Sequence, residues 1–247
     1  MAVTHLTSAA EVLVATDHDP YVRGRLARTD VEGWTGHGAT AWRYTYPGER
    51  TPMLMTVGSA PAVALLLETL LPELRDGHEV NVPRGVGALL PAWVGLEVHA
   101  HWDFRWTAAA PPDQLREAEV RPATDAEVTA LLDVANPGAS ARPGNPRVRR
   151  WLGVEGLAGL LACGADTSSA TGVGHLSSIA THPDARGGGL GAAVTASLIR
   201  SCFGEGCDVV TLGLFADNTA GKALYDRLGM KDEHPFTSGT LRIRSRW

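Results

Sequence analysis

A chain of 247 residues, 44% hydrophobic and 20% charged, can bury a sizeable core and is too apolar to stay disordered. Its net charge of −5, with neither half basic, argues against nucleic acid as a partner. No run of about 18 apolar residues and no charged-then-apolar leader occurs, so no membrane partner is expected. Three cysteines (Cys163, Cys202, Cys207) at no metal-ligand spacing point to a reducing cytoplasm and to no metal.

Taken in chain order, Ser8–Ala15 and Tyr21–Ala27 are helix-like, with Ser8 or Thr7 placed to cap the first. Ala39–Tyr46 and Pro52–Val57 read as two strands across a Pro47-Gly48-Glu49-Arg50 turn. Pro61–Leu71 follows as an apolar helix with proline in its first turn, and Glu97–Trp106 alternates like a strand. Arg84-Gly85-Val86-Gly87-Ala88 nearly makes a phosphate turn, but Leu89 stands where a Gly or Ala is needed. His99 and His101 share one strand face without a locatable carboxylate or thiol partner, and no metal is assigned to them. Thr107–Pro112, ending in Pro-Pro, is the expected linker between an N-terminal α+β domain (1–110) and a second domain (114–247).

Beyond the linker, Ala118–Arg121 reads as a strand. Asp125–Val134 reads as a helix with Thr124 at its N-cap and Glu127 three residues on, the pattern of a capping box. A loop rich in Pro, Gly and Ser spans Asn136–Pro146. Trp151–Glu155 and Leu157–Ala165 make a hairpin, Asp166–Thr171 its exposed turn, and His175–Thr181 a strand closed by His182-Pro183-Asp184. Gly187, Gly188, Gly189 and Gly191 come next, and Leu190, Val194, Leu198 and Cys202 recur on one face of a helix. A strand, a glycine turn and a helix N-terminus offer unpaired N–H groups to an anion, and the missing Cβ atoms let it come close. The stretch reads as a pyrophosphate cradle, with a plain glycine-rich helix entry as the alternative on the bare pattern. A Walker loop is excluded because no Lys follows these glycines. A dinucleotide fold is excluded because GGGLGA lacks the phasing and no acidic residue stands about twenty residues on. Val209–Phe215 then reads as a buried strand ending at Asp217-Asn218. Thr219–Leu228 is a helix with Ala220, Ala223, Leu224 and Leu228 inward, stopped by Gly229, and Thr240–Ile243 is a last strand.

Arg186-x-x-Gly189-x-Gly191, followed about thirty residues later by a strand, Asn218, a helix, Tyr225 and Leu228-Gly229-Met230, resembles the GNAT superfamily of N-acetyltransferases. The resemblance implies an α/β fold with a mixed sheet in the C-terminal half and acetyl-CoA as cofactor. It puts the pyrophosphate of CoA on Arg186, Gly187, Gly188, Gly189, Leu190, Gly191 and Ala192. The pantetheine arm would pair with the main chain of Ile179, Ala180 and Thr181, as an added strand does. Asn218 would hydrogen-bond the cofactor, and Tyr225 would give a proton to the departing thiolate, its ordinary pKa of about 10 lying near that of a thiol. The competing reading of Tyr225 is a helix residue covering the sheet edge.

Many members of the superfamily carry a Glu in the strand before the glycine turn. Here that strand has His175, whose ordinary pKa of about 6.5 suits a general base. An ordered water, His182 and Glu155 are the rivals. On strict alternation His175 shares a face with Ser177, Ile179 and Thr181, unless a bulge intervenes. The resemblance also lays Asn136–Pro146 over the acceptor pocket, although its composition equally suits a plain surface loop. The N-terminal half is either a degenerate, glycine-acyltransferase-like copy of the same fold or an unrelated α+β cap. The implied activity is transfer of an acetyl group to a primary amine of a small molecule or amino acid by direct attack, in a monomer or homodimer. A protein amine as acceptor, and a non-catalytic acyl-CoA sensor, are the alternatives.

Overall fold

The computed structural model describes residues 2–26, 30–45, 52–170 and 172–244. Its elements are β1 (Thr4–Ser8), α1 (Ala9–Ala15), α2 (Pro20–Arg23), β2 (Asp30–Gly36), β3 (Ala39–Tyr44), β4 (Met53–Gly58), α3 (Ala60–Leu70), β5 (Glu79–Pro83) and β6 (Val94–Thr107). They continue with β7 (Arg121–Pro122), α4 (Asp125–Ala135), β8 (Arg150–Gly156), β9 (Gly159–Asp166), β10 (Val173–Thr181), α5 (Leu190–Gly204), β11 (Val209–Phe215), α6 (Thr219–Arg227) and β12 (Lys231–Ile243). The chain divides into two compact units, one of Met1–Phe104, Phe215–Asp217 and Glu233–Trp247, the other of Arg105–Leu214 and Asn218–Asp232. The division therefore falls at Phe104/Arg105 rather than near residue 110, and the C-terminal strand groups with the first unit. No helix among the described residues is long and apolar enough to cross a membrane.

In the first unit the strands run in the order β1-β2-β3-β4-β5-β12-β6. The β4 and β5 strands pair in parallel (Leu54↔Val80, Met55↔Asn81), joined by α3. Helix α3 turns Val63, Ala64, Leu66, Leu67 and Leu70 onto the sheet, where they meet Trp34, Leu54, Val80 and Leu241. Two strands of this unit (β1, β2) carry no clear alternation, and their sequence does not announce them; β5, which alternates over Glu79–Val82, is a further strand beyond those expected. The Arg84–Ala88 stretch makes only a 3-10 turn over Val86–Leu89, with Gly85 at φ +96. The expected Pro47–Arg50 turn, Ala27 and Thr171 lie outside the described residues.

In the second unit the order is β11-β10-β9-β8-β7. The expected strand at Ala118–Arg121 is instead a 3-10 turn over Glu117–Glu119 followed by the two-residue β7. Helices α4 and α5 cover opposite faces of this sheet. Val128, Leu131 and Leu132 of α4 pack on Trp151, Cys163, Ala165 and Ala180. Leu190, Val194, Leu198 and Ile199 of α5 pack on Val154, Ala162, Leu176 and Leu212. The α5 face is closely fitted: a Cβ on Gly164 would lie 2.9 Å from Leu198 Cδ1 and closer still to Ile179. Helix α4 begins with the expected capping box. Glu127 N–H donates to Thr124 Oγ1 at 3.4 Å, and Thr124 N–H donates to Glu127 Oε2 at 2.7 Å.

Candidate active site

Strand β10 is the axis of the second unit's site. It pairs in parallel with β11 from Val173↔Val209 to Leu176↔Leu212, and the pairing stops there although both strands run on. The cause lies on its other edge. Against β9, Ser177 faces Ala165 and Ala180 faces Cys163, so β10 uses one residue more than its partner over this step. That extra residue is a β-bulge, and Ser178 within it has φ +53. A left-handed conformation costs a non-glycine residue about 1–2 kcal/mol, so other contacts must hold it. Beyond the bulge, the edge of Ile179, Ala180 and Thr181 that faces away from β9 has no strand paired to it among the described residues.

The bulge also resets which side chains share a face. Leu176 packs under α5, and His175 therefore points to the other side, where its Nδ1 is 2.9 Å from Thr211 Oγ1. After the bulge, Ile179 lies on the α5 side and Ala180 on the α4 side. Thr181 also faces α5, its Oγ1 standing 3.1 Å from where a Cβ on Gly191 would be. Strict alternation, which grouped His175 with Ile179 and Thr181, is thus corrected: His175 shares its face with Ser177, Ser178 and Ala180. The Thr211 hydroxyl lies 2.9 Å from both the Gly174 carbonyl and His175 Nδ1, which fixes the orientation of the imidazole ring. Of the rival bases, His182 accepts from Asp184 N–H at 3.3 Å, and Glu155 is ion-paired with Arg121 at 2.9 Å.

The glycine turn follows a 3-10 turn over Pro183–Ala185. Gly187 and Gly189 have φ +79 and +77, conformations that glycine takes without strain. A Cβ at either position would meet nothing within 4 Å, so the space above the turn is open. Gly189 is the N-cap of α5, and no side chain caps that helix. Among the described residues, the main-chain N–H groups from Gly187 to Ala192 have no hydrogen-bond partner. Arg186 lies beside them, its Nε donating to the Thr181 carbonyl at 3.4 Å. Gly191 matters for packing instead, since a Cβ there would press on Thr181 Oγ1 at 3.1 Å and on Leu224 Cδ1 at 3.2 Å. Its bareness lets the end of β10, the start of α5 and α6 meet.

Asn218 caps α6, its Oδ1 accepting from Gly221 N–H at 2.8 Å. The helix ends at Gly229, at φ +76. Its inward stripe is Leu224, Tyr225 and Leu228, whereas Ala220 and Ala223, expected inside, are exposed. Tyr225 is buried in one cluster with Leu190, Val194 and Leu214, which sets it beside the first turn of α5. Burial pushes its phenol up to about 12, opposed by the charge of Arg105. Arg105, itself buried, is ion-paired with Asp226, the neighbour of Tyr225, and donates from Nη1 to the Lys222 carbonyl at 3.4 Å, about one turn before it. Nothing local in the sequence marks Arg105, Thr211 or Ser178; only the tertiary structure brings them to the site. The buried thiols are not nucleophiles, since burial pushes Cys163 and Cys202 up to about 12. No group of three or more potential metal ligands occurs among the described residues.

This geometry suits an anion held on the glycine turn and an extended chain laid along the open edge of β10. The comparisons with known proteins concern the family and the fold. Residues 113–230 match the model of the acetyltransferase (GNAT) family. No curated protein matches the chain. Among solved structures, a GCN5-related N-acetyltransferase from Sphaerobacter thermophilus superposes with a TM-score of 0.58 at 14% identity, over 98% of this chain and 96% of that one. One from Kribbella flavida gives 0.52 at 18%, over 94% and 95%. An acetyltransferase of the GNAT family from Colwellia psychrerythraea gives 0.50 at 12%, over 98% and 100%. At such identities the likeness concerns the fold, which is the mixed α/β fold of these enzymes. Residues 113–230, just under half of the chain and the part that holds the glycine turn, belong to the GNAT acetyltransferase superfamily.

Proposed function

We propose that the second unit is an N-acetyltransferase that takes acetyl-CoA as cofactor and a primary amine of a small molecule or amino acid as acceptor. The observation that carries this reading is the uncapped, unobstructed start of α5, continuous with the open main-chain edge of β10. The residues present fit the cofactor. Six N–H groups from Gly187 to Ala192 have no partner among the described residues, the turn is open at Gly187 and Gly189, and the Arg186 guanidinium adds charge beside them. When bound, acetyl-CoA would supply a thioester open to attack at its acyl carbon.

The chain's own groups would do the rest. The edge at Ile179–Thr181 takes the extended arm by main-chain hydrogen bonds, and one of its N–H groups donates to the carbonyl oxygen as negative charge builds there. His175, held through Nδ1 against Thr211, takes a proton from the incoming amine directly or through water. Tyr225 holds its proton up to about pH 12, roughly three units above an ordinary thiol. Its part is therefore a hydrogen bond donated to the departing sulfur, with Arg105 easing the transfer, rather than a balanced proton exchange. Asn218 is engaged as the cap of α6 and acts through that helix. The test is thiol release from acetyl-CoA with glycine, L-lysine, spermidine and phenethylamine, alongside labelled acetyl-CoA in lysate. Label in small metabolites supports the reading. Label in macromolecules alone transfers the assignment to a protein amine, and CoA uptake without thiol release marks a sensor.

A further inference from the structure

Among the described residues four non-glycine residues have positive φ: Asp17, His18, His37 and Ser178. The first three lie in turns, and Ser178 alone lies inside a strand. Glycine would adopt φ +53 without strain, so what needs explaining is the serine side chain. Its Oγ accepts from Ala141 N–H at 2.9 Å and donates to the Ala141 carbonyl at 2.8 Å. Ala141 is buried among Val128, Leu131, Trp151 and Ala180, and neither of its main-chain groups has another partner among the described residues. A buried N–H and C=O with one shared partner lose both bonds when that partner goes.

Ala141 belongs to the connection between α4 and β8. That connection is braced elsewhere by Arg142, which pairs with Asp133 and donates to the Pro137 carbonyl at 3.2 Å. Arg147 N–H also donates to Asn145 Oδ1 there, at 3.0 Å. The loop is thus internally tied; its end is held to the sheet where Arg149 N–H donates to the Asp166 carbonyl at 2.8 Å, and its middle is held at Ser178. Because Ser178 and Ala180 face the same side as His175, the loop walls the face of β10 from which an amine would be deprotonated.

We propose that Ser178 is a positioning residue: its two-way bond to Ala141 locks the acceptor-side loop to the bulge that opens the edge of β10. One contact then sets the wall met by the acceptor. The existence of the clamp rests on this geometry, and its consequence for turnover rests on the acetyl-transfer reading above.

The experiment uses the full chain with Ser178→Gly, which relieves the backbone and removes the clamp, and Ser178→Ala, which keeps the strain and removes it. Should Ser178→Ala fail to fold, the glycine variant carries the test. Hydrogen exchange at Ala141 is expected to quicken at least about tenfold in Ser178→Gly. Calorimetry with CoA should give a Kd within about threefold of wild type, since the N–H groups of Gly187–Ala192 are untouched. With the panel amine that wild type acetylates fastest, KM for the amine should rise and kcat fall, together on the order of tenfold or more, with KM for acetyl-CoA unchanged. Unchanged exchange at Ala141 overturns the clamp whatever the enzyme does. Faster exchange with unaltered amine kinetics overturns the positioning role. Failure of wild type to take up CoA overturns the acetyl-transfer reading instead, and exchange alone then decides the clamp.

Discussion

Two helices in this molecule follow the first strand of a parallel pair, α3 after β4 and α5 after β10, and their N-termini are finished in opposite ways. In α3 the strand passes into the helix within two residues, Ser59 accepts from Ala62 N–H at 3.4 Å, and Pro61 removes one of the N–H groups left over. In α5 the passage takes eight residues, 182–189, ends on a glycine at φ +77, and leaves the N–H groups without a cap. Both solutions fold. A self-capped helix pairs its donors within the chain, whereas the uncapped one on an open glycine turn leaves them without a partner among the described residues. The difference separates a βαβ unit that only packs from one that can hold a phosphate, and it is written in two short stretches, Gly58–Pro61 and Gly187–Gly191.

The comparison breaks most severely if α5 is closed. Gly189→Asp adds a side chain at positive φ and a carboxylate where the anion would sit, and CoA affinity is expected to fall about 100-fold or more. Gly189→Ala brings the strain without the charge, about 1–2 kcal/mol, and should weaken CoA by roughly 5–30-fold. Both are read by calorimetry. Tyr225→Phe removes the donor to sulfur while keeping the packing against Leu190 and Val194, and kcat should drop on the order of 100-fold with KM for acetyl-CoA little changed. Because the folded phenol titrates only near pH 12, it stays protonated across the working range. The ratio of wild-type to Tyr225→Phe turnover should therefore be flat from about pH 7 to about pH 10.

On the other side of the comparison the effects are smaller and touch stability alone. Ser59→Ala should destabilise the protein by about 1 kcal/mol, seen as a lower urea midpoint, with CoA affinity unchanged. A shift in CoA affinity would deny that α3 is a purely structural counterpart. Smaller still is the α4 cap. The Arg121 guanidinium, helped by the Thr124 N–H, holds the Glu127 carboxyl down at about 2. Since the folded value lies below the ordinary one of about 4.3, the stabilisation is complete above that pH and is lost as pH falls towards about 2. The gap in melting temperature between wild type and Glu127→Gln should narrow over that interval.

What the chain displays in one dimension is the chemistry of local ends. The capping box at Thr124 and Glu127, the glycine turn, the apolar stripe of α5 and the stop at Gly229 all depend on neighbours within a turn or two. What it hides depends on distant partners. β2 holds Gly33 and Gly36 and becomes a strand only by pairing with β1 and β3, where a Cβ on Gly33 would lie 3.0 Å from the Ala41 carbonyl oxygen. Strand β12 runs through Pro235, which reads as a break, yet it pairs with β5 from Phe236↔Pro83 to Thr240↔Glu79. That pairing is why residues 233–247 group with the first unit and not with the domain that precedes them in the chain. The bulge at Ser178 is invisible for a similar reason. Serine has no preference for positive φ, and the partner that holds it there is 37 residues away. Arg105 approaches Tyr225 from far earlier in the chain, through Asp226 and Lys222.

The most direct measurement is a calorimetric titration of CoA into three proteins: wild type, Gly189→Asp and Ser59→Ala. Saturable uptake at one site per chain by wild type and Ser59→Ala, and its loss in Gly189→Asp, is the predicted result. No uptake by wild type, or equal uptake by Gly189→Asp, would contradict a phosphate cradle at the start of α5 and, with it, the acetyl transfer built upon it.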